Sequence, residues 1–143
     1  MTQLKYNKYL GIKHNYLEYN CITLIDSIYK NELNSNVFEA LWNFLNLPGG
    51  KPQDGRGWMK RYSLDSIETW ASKVATKVNL TEMQEYDVIV FKSVRLIPSH
   101  FGMYVGYNKF IHVAEGKYSS IDVLTEDWRN QISSIWRWTG INT

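Results

Sequence analysis

The 143-residue chain has few of the residues from which catalytic and metal sites are built. It contains one cysteine, Cys21, and three histidines, His14, His100 and His112. A single cysteine excludes an internal disulfide and leaves a thiol whose chemistry depends on its neighbours. Metal binding is a poor alternative, because Cys21 has no second cysteine two to four residues away and stands far from the histidines in sequence. No metal or other cofactor is expected. The formal net charge is +2 and no basic run exceeds Lys60-Arg61, so nothing points to nucleic acid. No apolar run approaches the roughly 20 residues of a membrane span. Residues 1–8 have no apolar stretch after their lysines, so no secretory signal is expected and the chain reads as one made in the cytoplasm. Internal repeats and low-complexity tracts are also missing.

What remains is one domain's worth of core, so residues 1–143 read as a single domain. Residues 6–20 show no clean period and read as an extended or irregular lead-in that brings Tyr9, Tyr16 and Tyr19 towards a helix start. After Cys21, the apolar residues Leu24, Ile25, Ile28, Tyr29 and Leu33 recur at helical spacing, with Asp26, Lys30 and Glu32 on the other side. Asn20 is a good N-cap, which puts Cys21 at the first helical position, and Asn34-Ser35-Asn36 ends the helix. A second helical segment covers about residues 37–47. Residues 48–62, with Pro48-Gly49-Gly50 and Asp54-Gly55-Arg56-Gly57, read as a loop-rich insertion. Ser63 or Asp65 caps a third helix of uncertain end, since residues 74–80 also alternate like a strand.

The second half is β-prone. Residues 87–91 form an apolar run, and residues 99–113 alternate, turn at Gly106-Tyr107-Asn108 and alternate again, the pattern of a hairpin. Residues 120–124 and 133–138 complete the set, with a short helix around Trp128. Helices first and strands second imply an α+β fold, an antiparallel sheet packed on the Cys21 helix.

The hairpin carries His100 and His112, which are not direct cross-strand partners by counting but can share one face. A thiol at a helix N-terminus sits at the positive end of the macrodipole, which favours thiolate, and a neighbouring imidazole favours it further. His100 reaches that thiol if the helix packs on its face of the sheet, and His112 then fixes the tautomer of His100. The competing reading is commoner for these residue types: Cys21 as a small core residue and the histidines as satisfied strand residues. His14, in a polar stretch, reads as a surface residue.

Four segments tip the balance. Tyr19-Asn20-Cys21-Ile22-Thr23-Leu24-Ile25 resembles the nucleophile helix of the NlpC/P60 cysteine peptidases, which usually carries Asp-Cys-Ser-Gly-Leu-Val. Asp87-Val88-Ile89-Val90-Phe91 is similar to their Gly-Asp-Leu-Val-Phe-Phe strand. Ser99-His100-Phe101-Gly102-Met103-Tyr104-Val105-Gly106 is similar to their His-Val-Gly-Ile-Tyr-Leu-Gly strand. Lys109-Phe110-Ile111-His112-Val113 resembles the next strand with its third polar residue. They occur in family order over residues 9–138, and Arg137 fits the arginine common near the last strand.

This resemblance implies a papain-like NlpC/P60 fold, with Cys21 as nucleophile at a helix N-terminus, His100 as general base and acid, and His112 as the orienting residue. It also implies a tyrosine that helps bind the oxyanion about twelve residues before the cysteine, a place held by Tyr9, with Tyr16 and Tyr19 as weaker candidates. The backbone N–H of Cys21 is the other expected donor. Asn20 stands where the family usually has an Asp that contacts the substrate amine, Ile22-Thr23 replaces a Ser-Gly pair and is expected to narrow the cleft, and Tyr86 replaces the Gly before Asp87. The implied activity is a cysteine endopeptidase cleaving peptidoglycan stem peptides. The expected setting is a bacteriophage tail, where the chain, made in the bacterial cytoplasm, docks on tail proteins and opens the wall locally. Two alternatives stay open, a structural tail-assembly protein with little or no hydrolysis and a free bacterial amidase or antibacterial effector.

Overall fold

In the computed structural model, residues 2–14, 21–38, 71–92, 98–114 and 116–138 are described. Their framework is a six-stranded sheet of β1 (Ala75–Lys77), β2 (Val88–Lys92), β3 (Pro98–Gly106), β4 (Lys109–His112), β5 (Ser120–Val123) and β6 (Ile132–Trp138). The spatial order is β1-β6-β2-β3-β4-β5, and every described pairing is antiparallel. The α-helices whose whole extent lies among the described residues are α1 (Cys21–Leu33) and the short α2 (Glu126–Asn130). The expected mixture of helix and antiparallel sheet is therefore present. Thr125 caps α2, its hydroxyl accepting from the Trp128 N–H.

Alternation divides each strand between two apolar layers. Val88 and Val90 of β2, Phe101, Met103 and Val105 of β3, Ile111 of β4, and Trp136 and Trp138 of β6 pack with Leu24, Ile25, Ile28 and Tyr29 of α1. Ile89, Phe91, Phe110, Leu124 and Ile135 form the layer on the other side, with Trp128 of α2 against them. The β3–β4 turn places Tyr107 and Asn108 at φ 55° and 59°, the paired left-handed residues of a two-residue hairpin turn.

The ambiguity at residues 74–80 resolves into β1, which pairs Ala75 with Trp138 on β6. Val37 and Phe38 are helical, and Phe38 packs edge-on against Tyr29 at 5.3 Å. The remainder of that segment, the 48–62 insertion and most of the third helix lie outside the described residues.

Residues 6–9 depart from the irregular lead-in expected of 6–20, because Thr2–Tyr9 form a 3-10 helix. Its contacts are tertiary. The Tyr6 phenol donates to Glu85 Oε2 at 2.5 Å, and Lys5 Nζ lies 2.7 Å from the Tyr86 phenol and 3.0 Å from Glu85. Tyr86, standing where the resembled family has glycine, has φ 79°, a conformation strained for a bulky side chain. Its partners hold it there, since its carbonyl accepts from the Tyr29 phenol and its own phenol accepts from Lys5. Asp87 follows, buried and held bidentately by Arg137 at 2.9 and 2.8 Å, with the Gln84 N–H on the same carboxylate. Arg137 thus anchors the entry to β2.

Candidate active site

Strand register brings the two hairpin histidines together. Ile111 pairs with Met103, and one further step in that register sets His112 opposite Gly102, diagonal to His100 on the same face. Gly102 has no side chain to intrude. A Cβ there would lie 2.8 Å from Phe110 and 3.2 Å from Phe91, so the two rings occupy its place. Beside these rings His100 Nε2 meets His112 Nδ1 at 2.8 Å. The other ring nitrogen, His112 Nε2, meets Asp122 Oδ2 at 2.6 Å, and the Ser120 hydroxyl donates to the same oxygen at 3.1 Å. Trp128 borders both imidazoles, with ring centroids 5.2 Å from His112 and 6.2 Å from His100.

Cys21 is the first residue of α1, and its thiol is buried. The backbone N–H groups of Phe101, Cys21 and Ile22 face the sulfur. The thiol therefore reaches β3 at the residue next to His100. The sequence reading made contact conditional on α1 packing on the histidine face, and it packs on the other one. Phe101 points into the α1 layer, whereas His100 lies against Phe91 and Trp128 of the opposite layer. Thiol and imidazole thus approach the start of β3 from opposite sides at adjacent residues.

Electrostatics differ from the sequence expectation as well. Burial pushes the thiol up to about 11, and the three N–H groups that favour thiolate offset only part of that. Burial, with the His112 and His14 charges, pulls His100 down to about 3. His112 is also lowered by burial, against the opposing pull of Asp122. At neutral pH the resting pair is thiol and neutral imidazole, rather than the thiolate that the helix terminus alone predicts.

The remaining sequence candidates separate. Tyr9 does not reach the thiol, because its phenol donates to Glu32 Oε2 at 2.6 Å. Glu32 lies eleven residues along α1 from Cys21, about 16 Å at the helical rise, so Tyr9 is tied to the wrong end of α1 for an oxyanion role. Tyr16, Tyr19 and Asn20 lie outside the described residues. Ile22 is 1% exposed and packs in the core, so it does not narrow a cleft. His14, read as a surface residue, is half-buried and close enough to act on His100. The bridge between Lys13 and Tyr118 and the bond from the His14 N–H to the Lys117 carbonyl carry it there. Asp122 was missed altogether. Its signal was an acidic residue two positions beyond Ser120 in a run already read as strand. No cluster of three metal-ligating side chains occurs, and no helix is long and apolar enough to cross a membrane, among the described residues.

The NlpC/P60 family sequence model matches residues 8–137 of the chain. Among curated proteins, no match is found. A solved NlpC/P60 family protein from Bacillus cereus shares the fold with a TM-score of 0.59 at 16% identity. A Staphylococcus aureus protein described as similar to lipoprotein, NLP/P60 family, gives 0.54 at 16% identity. Each comparison covers 96% of this chain and 39% of the other, so the chain spans well under half of either neighbour. At that identity the likeness speaks for fold, and the family match over residues 8–137 speaks for descent; the chain belongs to the NlpC/P60 family.

Proposed function

We propose that the chain is a cysteine endopeptidase acting on the peptide stems of peptidoglycan, with Cys21 as nucleophile, His100 as general base and acid, and His112 as orienting residue. The observation that carries this reading is the 2.8 Å contact of His100 Nε2 with His112 Nδ1, one residue from where the Cys21 thiol meets β3. With Nε2 engaged, Nδ1 is the ring nitrogen of His100 left to take the thiol proton. Sulfur attacks the substrate carbonyl as that proton moves to His100, and the backbone N–H of Cys21 at the head of α1 stabilises the oxyanion. His100 then protonates the leaving amine, giving a thioester, and accepts a proton from the water that hydrolyses it. Because the resting groups are neutral, thiol deprotonation accompanies attack instead of preceding it.

The setting proposed with this activity is a bacteriophage tail, which rests on the sequence resemblance. Mass spectrometry of purified peptidoglycan digested with wild type and Cys21→Ala tests the activity. New stem-peptide fragments from wild type alone support it, and identical digests overturn it. Normal particles that fail to enter through intact wall with Cys21→Ala support the tail setting. Loss of assembly by a folded Cys21→Ala chain favours the structural alternative.

A further inference from the structure

We propose that Asp122 is a positioning residue that fixes the direction of the hydrogen-bond chain Asp122–His112–His100 and so leaves Nδ1 as the unprotonated, basic nitrogen of His100. This rests on the catalytic reading of Cys21 and His100 given above.

The direction follows from what each atom can do. An ionised carboxylate only accepts hydrogen bonds. With Asp122 Oδ2 at 2.6 Å, His112 Nε2 is the donor. A neutral imidazole carries one proton, so His112 Nδ1 is then an acceptor. The 2.8 Å contact to His100 Nε2 therefore runs from His100 to His112. His100 carries its proton on Nε2, and its Nδ1 is the basic atom. Reversing one bond reverses the other. If His112 held its proton on Nδ1, it would donate to His100 Nε2, and His100 Nδ1 would carry the proton and be unable to accept one from Cys21.

The setting holds Asp122 in place for this task. Strand pairing of Phe110 with Asp122 and of His112 with Ser120 puts the carboxylate diagonal to His112 on the same face. The Ser120 hydroxyl donates to the same oxygen at 3.1 Å, which orients it. Trp128, edge-on to His112 at 83°, flanks the chain with apolar surface. Asp122 itself is half-exposed, with 45% of its side chain accessible, so replacing it does not open the core.

Asp122→Asn is the informative change. It preserves size but offers an amide N–H to His112 Nε2, which favours the reversed tautomer. Long-range ¹H–¹⁵N spectra of the full chain should show wild-type His100 and His112 both protonated at Nε2, and a mixture or reversal in Asp122→Asn. On peptidoglycan, kcat should fall about tenfold to a hundredfold, part of the 10²–10⁴ typical of general-base catalysis, with KM within about twofold. Asp122→Ala should randomise the tautomers, and Asp122→Glu should restore the wild-type spectrum at least in part. The proposal is overturned if both histidines keep the Nε2 proton in Asp122→Asn and Asp122→Ala, or if kcat is unchanged in an active protein. An inactive wild type would overturn the catalytic reading, while the tautomer spectra still decide the role of Asp122.

Discussion

On the α1 side of the sheet the strands bury apolar side chains almost throughout, whereas on the other side three adjacent strands set His100, His112 and Asp122 in a hydrogen-bonded row. The first layer gains stability by removing apolar area from water. The second surrounds a polar row with Phe91, Phe110 and Trp128, which lowers the histidines' affinity for protons. Cys21 belongs by position to the first layer and by proposed chemistry to the second. The difference teaches that burial serves two ends here, apolar packing on one side and a desolvated hydrogen-bonded row on the other. Cys21 is 8% exposed and His112 4%, one on each side of the sheet.

Substitutions on the two sides should separate activity from stability. The largest effect is expected for His100→Gln, which should lower peptidoglycan hydrolysis by about 10²–10⁴-fold through loss of the proposed general base. Its stability should change in a pH-dependent way. His100 is held near 3 in the folded chain against an ordinary value of 6.5, so the unfolded chain takes up the proton first as pH falls. Stability linked to the neutral imidazole is complete above about 6.5 and is lost as pH falls towards 3. Urea midpoints over that window should therefore fall less steeply in His100→Gln, with the remaining slope including His112, which is lowered in the same direction. An equal slope in the two proteins would break the contrast.

Leu24→Ala, in the α1 layer, should do the reverse. Leu24 is fully buried, and its truncation should cost about 2–5 kcal/mol in chemical unfolding. At a temperature where the variant stays folded, kcat should remain within a few-fold of wild type. The smallest effect is expected for Tyr9→Phe. Loss of the bond to Glu32 should cost on the order of 1 kcal/mol, with hydrolysis unchanged. A hundredfold loss of kcat would instead restore Tyr9 to the oxyanion site.

These contrasts also explain what the sequence made legible. The helix from Cys21 to Leu33 was readable because its apolar spacing and its Asn34-Ser35-Asn36 stop are local signals. The turn at Tyr107 and Asn108 and the pairing of His100 with His112 followed from strand periodicity. The face taken by α1 was not readable. Val88, Ile89, Val90 and Phe91 are all buried, so β2 has no polar side to mark the outside. The 3-10 turn at residues 6–9 and the bond from Tyr9 to Glu32 were not readable because the partners involved, Glu32, Glu85 and Tyr86, are distant in the chain. The thiol was misjudged because a macrodipole argument counts the helix terminus but not the desolvation that the surrounding sheet imposes. Asp122 escaped notice because strand alternation assigned it a direction without assigning it a partner.

Sheet connectivity also bears on the order in which the chain acquires its parts. β3, β4 and β5 are consecutive in both chain and sheet, and the row they carry closes over sequence separations of only 12 and 10 residues. The sulfur must arrive from residue 21, across a far longer loop, and contacts of large separation are generally slow to form. The meander can therefore organise before α1 docks, giving a transient species that holds the histidine row without the thiol. In pulse-labelled refolding, amide protection in β3 and β4 should precede protection of the Cys21 thiol from alkylation. Simultaneous protection would show that docking of the helix is what forms the meander.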